Sequence, residues 1–329
     1  MIYIDNKDCL DQSENFAIEE FALRHLDENE TYIMFYRMHP TVIVGKNQNT
    51  LAEINQDYIE AHQVQVLRRL SGGGAVYNDE GNISFSIITK DDGESFHNFE
   101  RFTKPVMDAL ITLGVDAKLS GRNDIEVAGK KISGNAQFAT KGRLYSHGTL
   151  MFDVNLENVE KALHVNPLKL QAKGVKSVRS RVTNIREHLR EDMDIAAFKQ
   201  VLLESIFKTT DIPVYTFTDQ DRAKIAQIRR ERYQNWDWNY GKSPKFNVKG
   251  EQKFPGGLVE IRLQVEKGKI TMAQIFGDFF ATGNIADVEQ KLLGLAYTKD
   301  AILAFFDNLD IPRYFGKVTK AELETLFFR

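Results

Sequence analysis

The chain has 329 residues, 42% of them hydrophobic and 27% charged, with a formal net charge of −3. This is the composition of an ordinary globular protein, and the balance of charge argues against a nucleic-acid-binding surface as its main business. The single cysteine, Cys9, excludes an intramolecular disulfide and points to a reducing compartment. No apolar run approaches the ~20 residues of a membrane span, and the acidic start MIYIDNKDCLDQ lacks the basic flank of a signal peptide. Cytoplasmic residence, with no membrane partner, is the expectation.

In chain order, Ser13–Leu26 reads as a helix, because Ile18, Phe21, Ala22 and Leu26 recur on one face. Tyr32–Tyr36 and Thr41–Val44 are short, aromatic and β-branched, with His39-Pro40 turning between them. Thr50-Leu51-Ala52-Glu53 fits a capping box and predicts a helix to about His62. Val64–Arg69 is a strand leading into Ser71-Gly72-Gly73-Gly74. The turn Asn78-Asp79-Glu80-Gly81 precedes the alternating strand Asn82–Thr89. Phe99–Leu113 reads as a helix stopped by Gly114, and Ile125–Val127 with Lys131–Ala139 as a hairpin turning at Gly129-Lys130. Leu144–Val154 is a further strand, and Phe198–Phe207 and Arg222–Tyr233 are helices. A linker is expected near Tyr240-Gly241-Lys242-Ser243-Pro244. Beyond it come a hairpin around Glu266-Lys267-Gly268-Lys269 and three short helices, Asp287–Leu293, Lys299–Asn308 and Lys320–Phe327. The pattern predicts an α+β chain with mixed, largely antiparallel sheets and flanking helices. We divide it into a domain over 1–243 and a small α+β domain over 244–329.

Four segments carry candidate chemistry. In Arg68-Arg69-Leu70-Ser71-Gly72-Gly73-Gly74-Ala75-Val76-Tyr77 the glycines permit a bend whose amides can cradle an anion, beside an arginine whose planar fork suits phosphate or carboxylate. No Gly-Lys-Ser/Thr follows, so this is not a P-loop; a flexible turn is the plain alternative. Gly121-Arg122-Asn123-Asp124 and Val127 to Asn135 place Lys131 on a polar strand. There it neutralises a phosphate if it faces the same cavity, and is otherwise a solvated lysine. Ser146-His147-Gly148-Thr149 is a polar break in an apolar strand, either a site or a hydrogen-bonded core histidine. Lys173 to Asn184 is basic and aperiodic, either a loop that folds over an anion or an exposed surface. No second histidine or cysteine stands at zinc-ligand spacing.

Together with Asn15-Phe16-Ala17-Ile18-Glu19-Glu20 and Val42 to Asn49, these stretches resemble the lipoate–protein ligase family, in the family's order and across most of the first 185 residues. The resemblance implies a catalytic domain of the fold shared by biotin and lipoate ligases, followed by the accessory domain of the two-domain ligases. It implies that Lys131, which precedes Ile-Ser-Gly, is the catalytic lysine. Arg69, Ser71, Gly72, Gly73, Gly74, Ala75 and Tyr77 correspond to the loop around ATP and the acyl-adenylate, and Ser133 and Gly134 follow the lysine within that site. Asn82, Asn123 and Asp124 correspond to positions near the phosphates, with Asp124 the candidate Mg²⁺ ligand. His147, Gly148 and Thr149 line the acyl and adenine sites, while Phe16 and Tyr36 belong to the acyl tunnel, where the family often has tryptophan in place of Tyr36. Lys173, Gly174, Ser177, Arg179 and Arg181 correspond to a mobile loop over the adenylate, and that loop and the small domain are expected to move between half-reactions.

The activity implied is ATP- and Mg²⁺-dependent activation of lipoate, or of octanoate, which suits the same tunnel. Transfer to a lysine follows, on the lipoyl domains of 2-oxo acid dehydrogenase complexes and on the glycine-cleavage H protein. The alternatives are an octanoyl or lipoyl transferase, which needs a reactive cysteine where only Cys9 is offered, and a non-catalytic lipoyl-binding protein. A biotin ligase is disfavoured because its Gly-Arg-Gly-Arg-Arg-Gly-type loop is absent.

Overall fold

A computed structural model describes residues 1–121, 123–164, 181–240 and 248–327. Its elements in chain order begin with β1 (Ile2–Ile4), α1 (Gln12–His25), β2 (Tyr32–Tyr36), β3 (Thr41–Val44), α2 (Thr50–Glu53), α3 (Gln56–Ala61), β4 (Gln65–Arg68), β5 (Val76–Asn78) and β6 (Asn82–Lys90). There follow α4 (Phe99–Thr112), β7 (Lys118–Ser120), β8 (Asp124–Val127), β9 (Lys130–Thr140), β10 (Arg143–Met151) and α5 (Leu156–Ala162). After these come α6 (Ile195–Phe207), α7 (Asp219–Ile228), a π-helical turn (Arg229–Tyr233) and α8 (Trp236–Asn239). The C-terminal part holds β11 (Val248–Phe254), β12 (Gly257–Glu266), β13 (Lys269–Gly277), α9 (Ile285–Leu292), α10 (Lys299–Asp307), α11 (Ile311–Phe315) and α12 (Lys320–Phe327).

The expected α+β architecture is present. A seven-stranded sheet runs β1-β2-β6-β10-β9-β8-β7, a three-stranded sheet β4-β3-β5 lies beside it, and β11-β12-β13 form a third. Among the described strands, β1/β2 and β3/β4 pair in parallel and the other strand pairs are antiparallel.

Strand alternation gives the large sheet two unlike faces, because successive side chains of a strand point to opposite sides. In β6, whose sequence is NISFSIITK, Ile83, Phe85 and Ile87 join Ile33, Phe35, Leu144 and Leu150 in a core packed on Phe102, Val106 and Leu110 of α4 and Phe198 and Leu202 of α6. Asn82, Ser84 and Ser86 of the same strand point the other way. By register they stand beside Met151, Thr149 and His147 of β10, and Ser84 and Ser86 beside Tyr36 and Met34 of β2. This second face is covered by α1, which is buried along most of its length. Phe16, Ile18 and Phe21 of α1 meet Met34, Tyr36 and Tyr145, and Ile225 and Ile228 of α7 close the layer.

Several expectations need correction. The helix from Thr50 to His62 is two short helices. The Thr50 hydroxyl donates to the Asn239 carbonyl and accepts from Arg68, and Asn49 makes no side-chain cap. Ile54 then forms an isolated bridge with Leu163, so the chain extends before Asn55 caps α3 through Tyr58 N. The C-terminal part has four helices among the described residues instead of three, α11 being the addition. Its strands pair as a meander whose core (Val259, Ile261, Ile275, Val288, Phe306, Phe315, Leu326) is separate from the first two. The expected linker at Gly241–Pro244 lies outside the described residues. No helix among the described residues is long and apolar enough to cross a membrane.

Candidate active site

A cavity of about 660 Å³ opens between the cavity face of the large sheet, the β4–β5 connection and the rim of the C-terminal sheet. Its wall includes the half-buried polar side chains of Lys131, Asn123 and Arg181 beside Asp124, and the more deeply buried Phe16, Tyr36, Ile43, Ser84 and His147. Gly73, Gly74, Ala75 and Tyr77 border it as well, so the triple-glycine turn and Lys131 share one cleft.

Lys131 reaches that cleft through a register slip. Ile125 pairs with Ser133 but Glu126 pairs with Lys131, which leaves Ile132 unpaired. Such a bulge re-aims the side chains that follow it. Regular alternation would put Lys131 on the face of Ser133 and Asn135, with Ile132 beside the cavity. The slip instead sends Ile132 into the apolar core and Lys131 into the cleft with Gly134 and Ala136. The Lys131 ammonium lies 2.8 Å from Asp124 Oδ1, and Arg181 binds the other carboxylate oxygen. Glycine at 134 leaves room for this path, since a Cβ there would sit 2.6 Å from Lys131 Nζ and push the lysine's end aside. The chain after Arg181 is tied to the same strand, with Thr183 N donating to the Lys131 carbonyl at 3.1 Å.

The glycine turn is organised from inside. The Arg69 guanidinium is buried beneath it and donates to the carbonyls of Gly72 (2.8 Å) and Gly74 (2.7 Å) and to Ser71 Oγ (3.1 Å). The fork expected to meet phosphate therefore meets main-chain carbonyls. Burial lowers its pKa to about 10, so it stays charged at neutral pH. With the carbonyls turned onto Arg69, the amides of Gly73 and Gly74 have no partner among the described residues, which is the arrangement of an anion-binding bend. Gly73 has φ +95°, open to glycine and costly for other residues. Arg68 is likewise internal, donating to the carbonyls of Gly45, Lys46 and Gln48.

His147 links this turn to α1. Its Nε2 is 2.7 Å from Ser71 Oγ and its Nδ1 is 3.0 Å from Glu19 Oε1, all buried. A carboxylate only accepts, so Nδ1–H donates to Glu19, and in the neutral ring Nε2 accepts the Ser71 hydroxyl proton while Arg69 Nε–H donates to the serine oxygen. The histidine is thus both a hydrogen-bonded interior residue and part of the cavity wall.

Of the residues singled out in the sequence, Phe16, Tyr36, Arg69, Gly73, Gly74, Ala75, Tyr77, Asn123, Asp124, Lys131, Gly134, His147, Gly148, Thr149 and Arg181 border the cavity. Ser71, Gly72, Asn82 and Ser133 do not. Ser71 lies behind the wall on His147. Gly72 faces the C-terminal part, where a Cβ would meet the Phe279 carbonyl at 2.4 Å. Asn82 donates to Asn78, which does border the cavity, and Ser133 accepts from Asn135 on the far side of the slip. Lys173, Gly174, Ser177 and Arg179 lie outside the described residues.

Sequence reasoning missed Ser84 and Asn78 in the wall, although the Asn-x-Ser-x-Ser alternation of β6 carried a signal for the first. It also missed Lys253, Pro255 and Asp278 at the rim, for which no local signal exists. The C-terminal part is joined there by a Gly277 N–H to Asn47 carbonyl bond of 2.6 Å and by the Phe280 ring on Phe99. Among the described residues no group of three His, Cys, Asp or Glu side chains converges as a metal site. Cys9 does not border the cavity, and burial raises its thiol pKa.

The family model for the lipoyl protein ligase A/B catalytic domain matches residues 11–207, and that for the bacterial lipoate protein ligase C-terminus matches 243–327. The chain belongs to the lipoate–protein ligase family. It is 51% identical to the lipoate-protein ligase LplJ of Bacillus subtilis over the full length of both chains. Its fold matches P. falciparum LipL1 in complex with lipoate, with a TM-score of 0.77, 26% identity and 94% of each chain covered. It also matches lipoate-protein ligase A bound with ATP, with a TM-score of 0.61, 26% identity, and 70% of this chain and 94% of that one covered. As a member of the family the chain is an enzyme that joins lipoate to protein. The C-terminal match and the full-length relatives favour this reading over the transferase and the non-catalytic binder.

Proposed function

We propose that this ligase works as an adenylating enzyme with Lys131 as the catalytic residue, and that ATP and lipoate occupy the cavity just described. The observation that carries this is the convergence of Lys131, Asp124 and the Gly73-Gly74 turn on one cleft that the buried Phe16 and Tyr36 also line. In the first step the lipoate carboxylate attacks the α-phosphorus of ATP, and pyrophosphate leaves. Negative charge shifts within a small volume, and donors fixed in advance stabilise it at no reorganisation cost. The Lys131 ammonium and the amides of Gly73 and Gly74 are those donors. Asn78, which Asn82 holds from behind, and Asn123 border the phosphates, and Gly148 and Thr149 the adenylate.

Mg²⁺ bound with ATP would offset phosphate charge. One carboxylate with substrate oxygens and water is an ordinary set for this ion. Asp124, which pairs with Lys131 and Arg181, would be the residue to hold it.

In the second step an acceptor lysine attacks the carbonyl carbon of the adenylate and AMP departs. A free lysine, with a pKa near ~10.4, is about one part in a thousand neutral at pH 7. The adjacent Lys131 charge favours the neutral amine. The acceptors we propose are lipoyl domains of 2-oxo acid dehydrogenase complexes and the glycine-cleavage H protein, in the cytoplasm. The same reading divides the chain into a catalytic unit over 1–243 and an accessory unit over 244–329.

The test is ATP–pyrophosphate exchange. Exchange that requires lipoate, and that collapses when Lys131 is replaced by alanine, supports the assignment. Exchange independent of lipoate, or unaffected by that change, contradicts it.

A further inference from the structure

Among the described residues, four lysine or arginine side chains border the cavity. Arg69 is spent on the carbonyls of its own loop, and Lys131 and Arg181 share Asp124. The fourth, Lys253, comes from the C-terminal part of the chain. At the end of β11, Phe254 turns into the C-terminal core, and alternation turns Lys253 the other way, to the cavity. Its ammonium lies 3.0 Å from both carboxylate oxygens of Asp278, which borders the cavity too. The carboxylate is fixed in turn: the Leu258 N–H donates to it, and the Asp278 N–H donates to the Leu258 carbonyl at 3.2 Å. Neighbouring charges of the same sheet, Lys249, Glu251, Glu260 and Arg262, pair among themselves and do not border the cavity. The segment that follows Asp278 lies on the glycine turn. A Cβ at Gly72 would meet the Phe279 carbonyl at 2.4 Å, and one at Gly73 the Phe280 ring at 3.1 Å.

An ion pair of this kind adds little stability, since desolvation offsets much of its attraction, so bracing the hairpin is a weak reason for a lysine here. The reading above, on which this inference rests, sets Lys131 and the glycine amides at the α-phosphorus. The β- and γ-phosphates leave together as pyrophosphate, and their charge grows as the bond to the α-phosphorus breaks. That reading gives them no cationic side chain. A lysine suits the task, because its ammonium is a compact charge with rotatable donors on a flexible stem, able to turn from a carboxylate toward a phosphate oxygen. We propose that Lys253, oriented by Asp278, binds the pyrophosphate end of ATP from the C-terminal side of the cleft.

The experiment uses the full chain and its Lys253→Gln variant, which keeps a hydrogen-bond donor toward Asp278 and removes the charge. It measures lipoate-dependent ATP–pyrophosphate exchange and, separately, acyl transfer from preformed lipoyl-AMP to a purified lipoyl domain. The variant is expected to raise KM for ATP and for pyrophosphate about 10- to 100-fold, the scale of one hydrogen bond to a charged group. KM for lipoate and the transfer rate are expected to stay within twofold of the unaltered protein. A merely structural lysine would leave KM for ATP within twofold, or would lower both half-reactions together, and either result overturns the proposal. If the variant does not fold, amine labelling of the unaltered chain decides. Saturating inorganic pyrophosphate is expected to protect Lys253 from modification, and an unchanged labelling rate overturns the proposal. Failure of the underlying reading looks different: the unaltered protein would then show no lipoate-dependent exchange, and the proposal would fall with it.

Discussion

The two faces of the seven-stranded sheet come from the same strands and do opposite work. One face is largely apolar and closed: Ile33, Phe35, Ile83, Phe85 and Ile87 meet α4 and α6, with few buried polar groups beside them, such as the Tyr3 hydroxyl and Asn135. The other holds Tyr36, Ser84, Ser86, Tyr145 and His147 against α1, with buried hydroxyls lacking partners and a carboxylate, Glu19, far from water. The first face supplies stability, and the second gives some of it up to keep a cavity open and polar. Because residues alternate along a strand, one register fixes both, and a slip of one residue would exchange them. The slip recorded in this sheet, beside Ile132, is the one that delivers Lys131 to the cavity.

This contrast can be broken at either face. Phe35→Ala, on the closed face, is expected to cost about 3–5 kcal/mol of stability, measured by denaturant unfolding, while the folded fraction keeps its kcat. A loss of kcat with little loss of stability would show that the faces are not separate in function. Lys131→Ala is expected to do the reverse, lowering turnover about 100-fold or more, as for loss of one transition-state donor, with unchanged unfolding. Near-normal turnover would remove Lys131 from the chemistry.

Smaller effects sharpen the picture. Ser71→Ala leaves His147 Nε2 without its partner and loosens the hold of Arg69 on the glycine turn. A roughly tenfold fall in kcat/KM is expected, the scale of one internal hydrogen bond, and an unchanged value would reduce the His147–Ser71 link to scaffolding. Ser86→Ala removes an unpaired buried hydroxyl, so stability should hold or rise by up to about 1 kcal/mol. A clear loss would mean that the hydroxyl is satisfied in solution. Cys9→Ser is expected to change nothing in the ligase assay; loss of activity would revive a thiol-dependent acyl transfer.

Much of this was legible in the sequence because it is local. The alternation of β6, the aromatic run of β2 and the Gly114 stop of α4 each appear where the residues demand them. The site was legible as a set of segments, but not in the direction each side chain takes. An arginine that binds a phosphate and one that binds its own loop's carbonyls are written alike, so Arg69 was expected to face outward and lies inward. Ser133 was grouped with Gly134 by adjacency, yet alternation sends the two to opposite faces, and nothing in Lys-Ile-Ser-Gly announces the slip that brings Lys131 to the glycine's side. The break between α2 and α3 depends on Leu163, and the rim residues Lys253, Pro255 and Asp278 on packing between distant parts of the chain. Contacts of that range leave no mark in a local window.

The most direct test of the central claim is intact-mass measurement of a purified lipoyl domain incubated with the full chain, ATP, Mg²⁺ and lipoate. The account predicts that the domain gains the mass of one lipoyl group at one lysine, only when ATP is present, and not with the Lys131→Ala variant. A modified domain in the absence of ATP, or full modification by that variant, would contradict it.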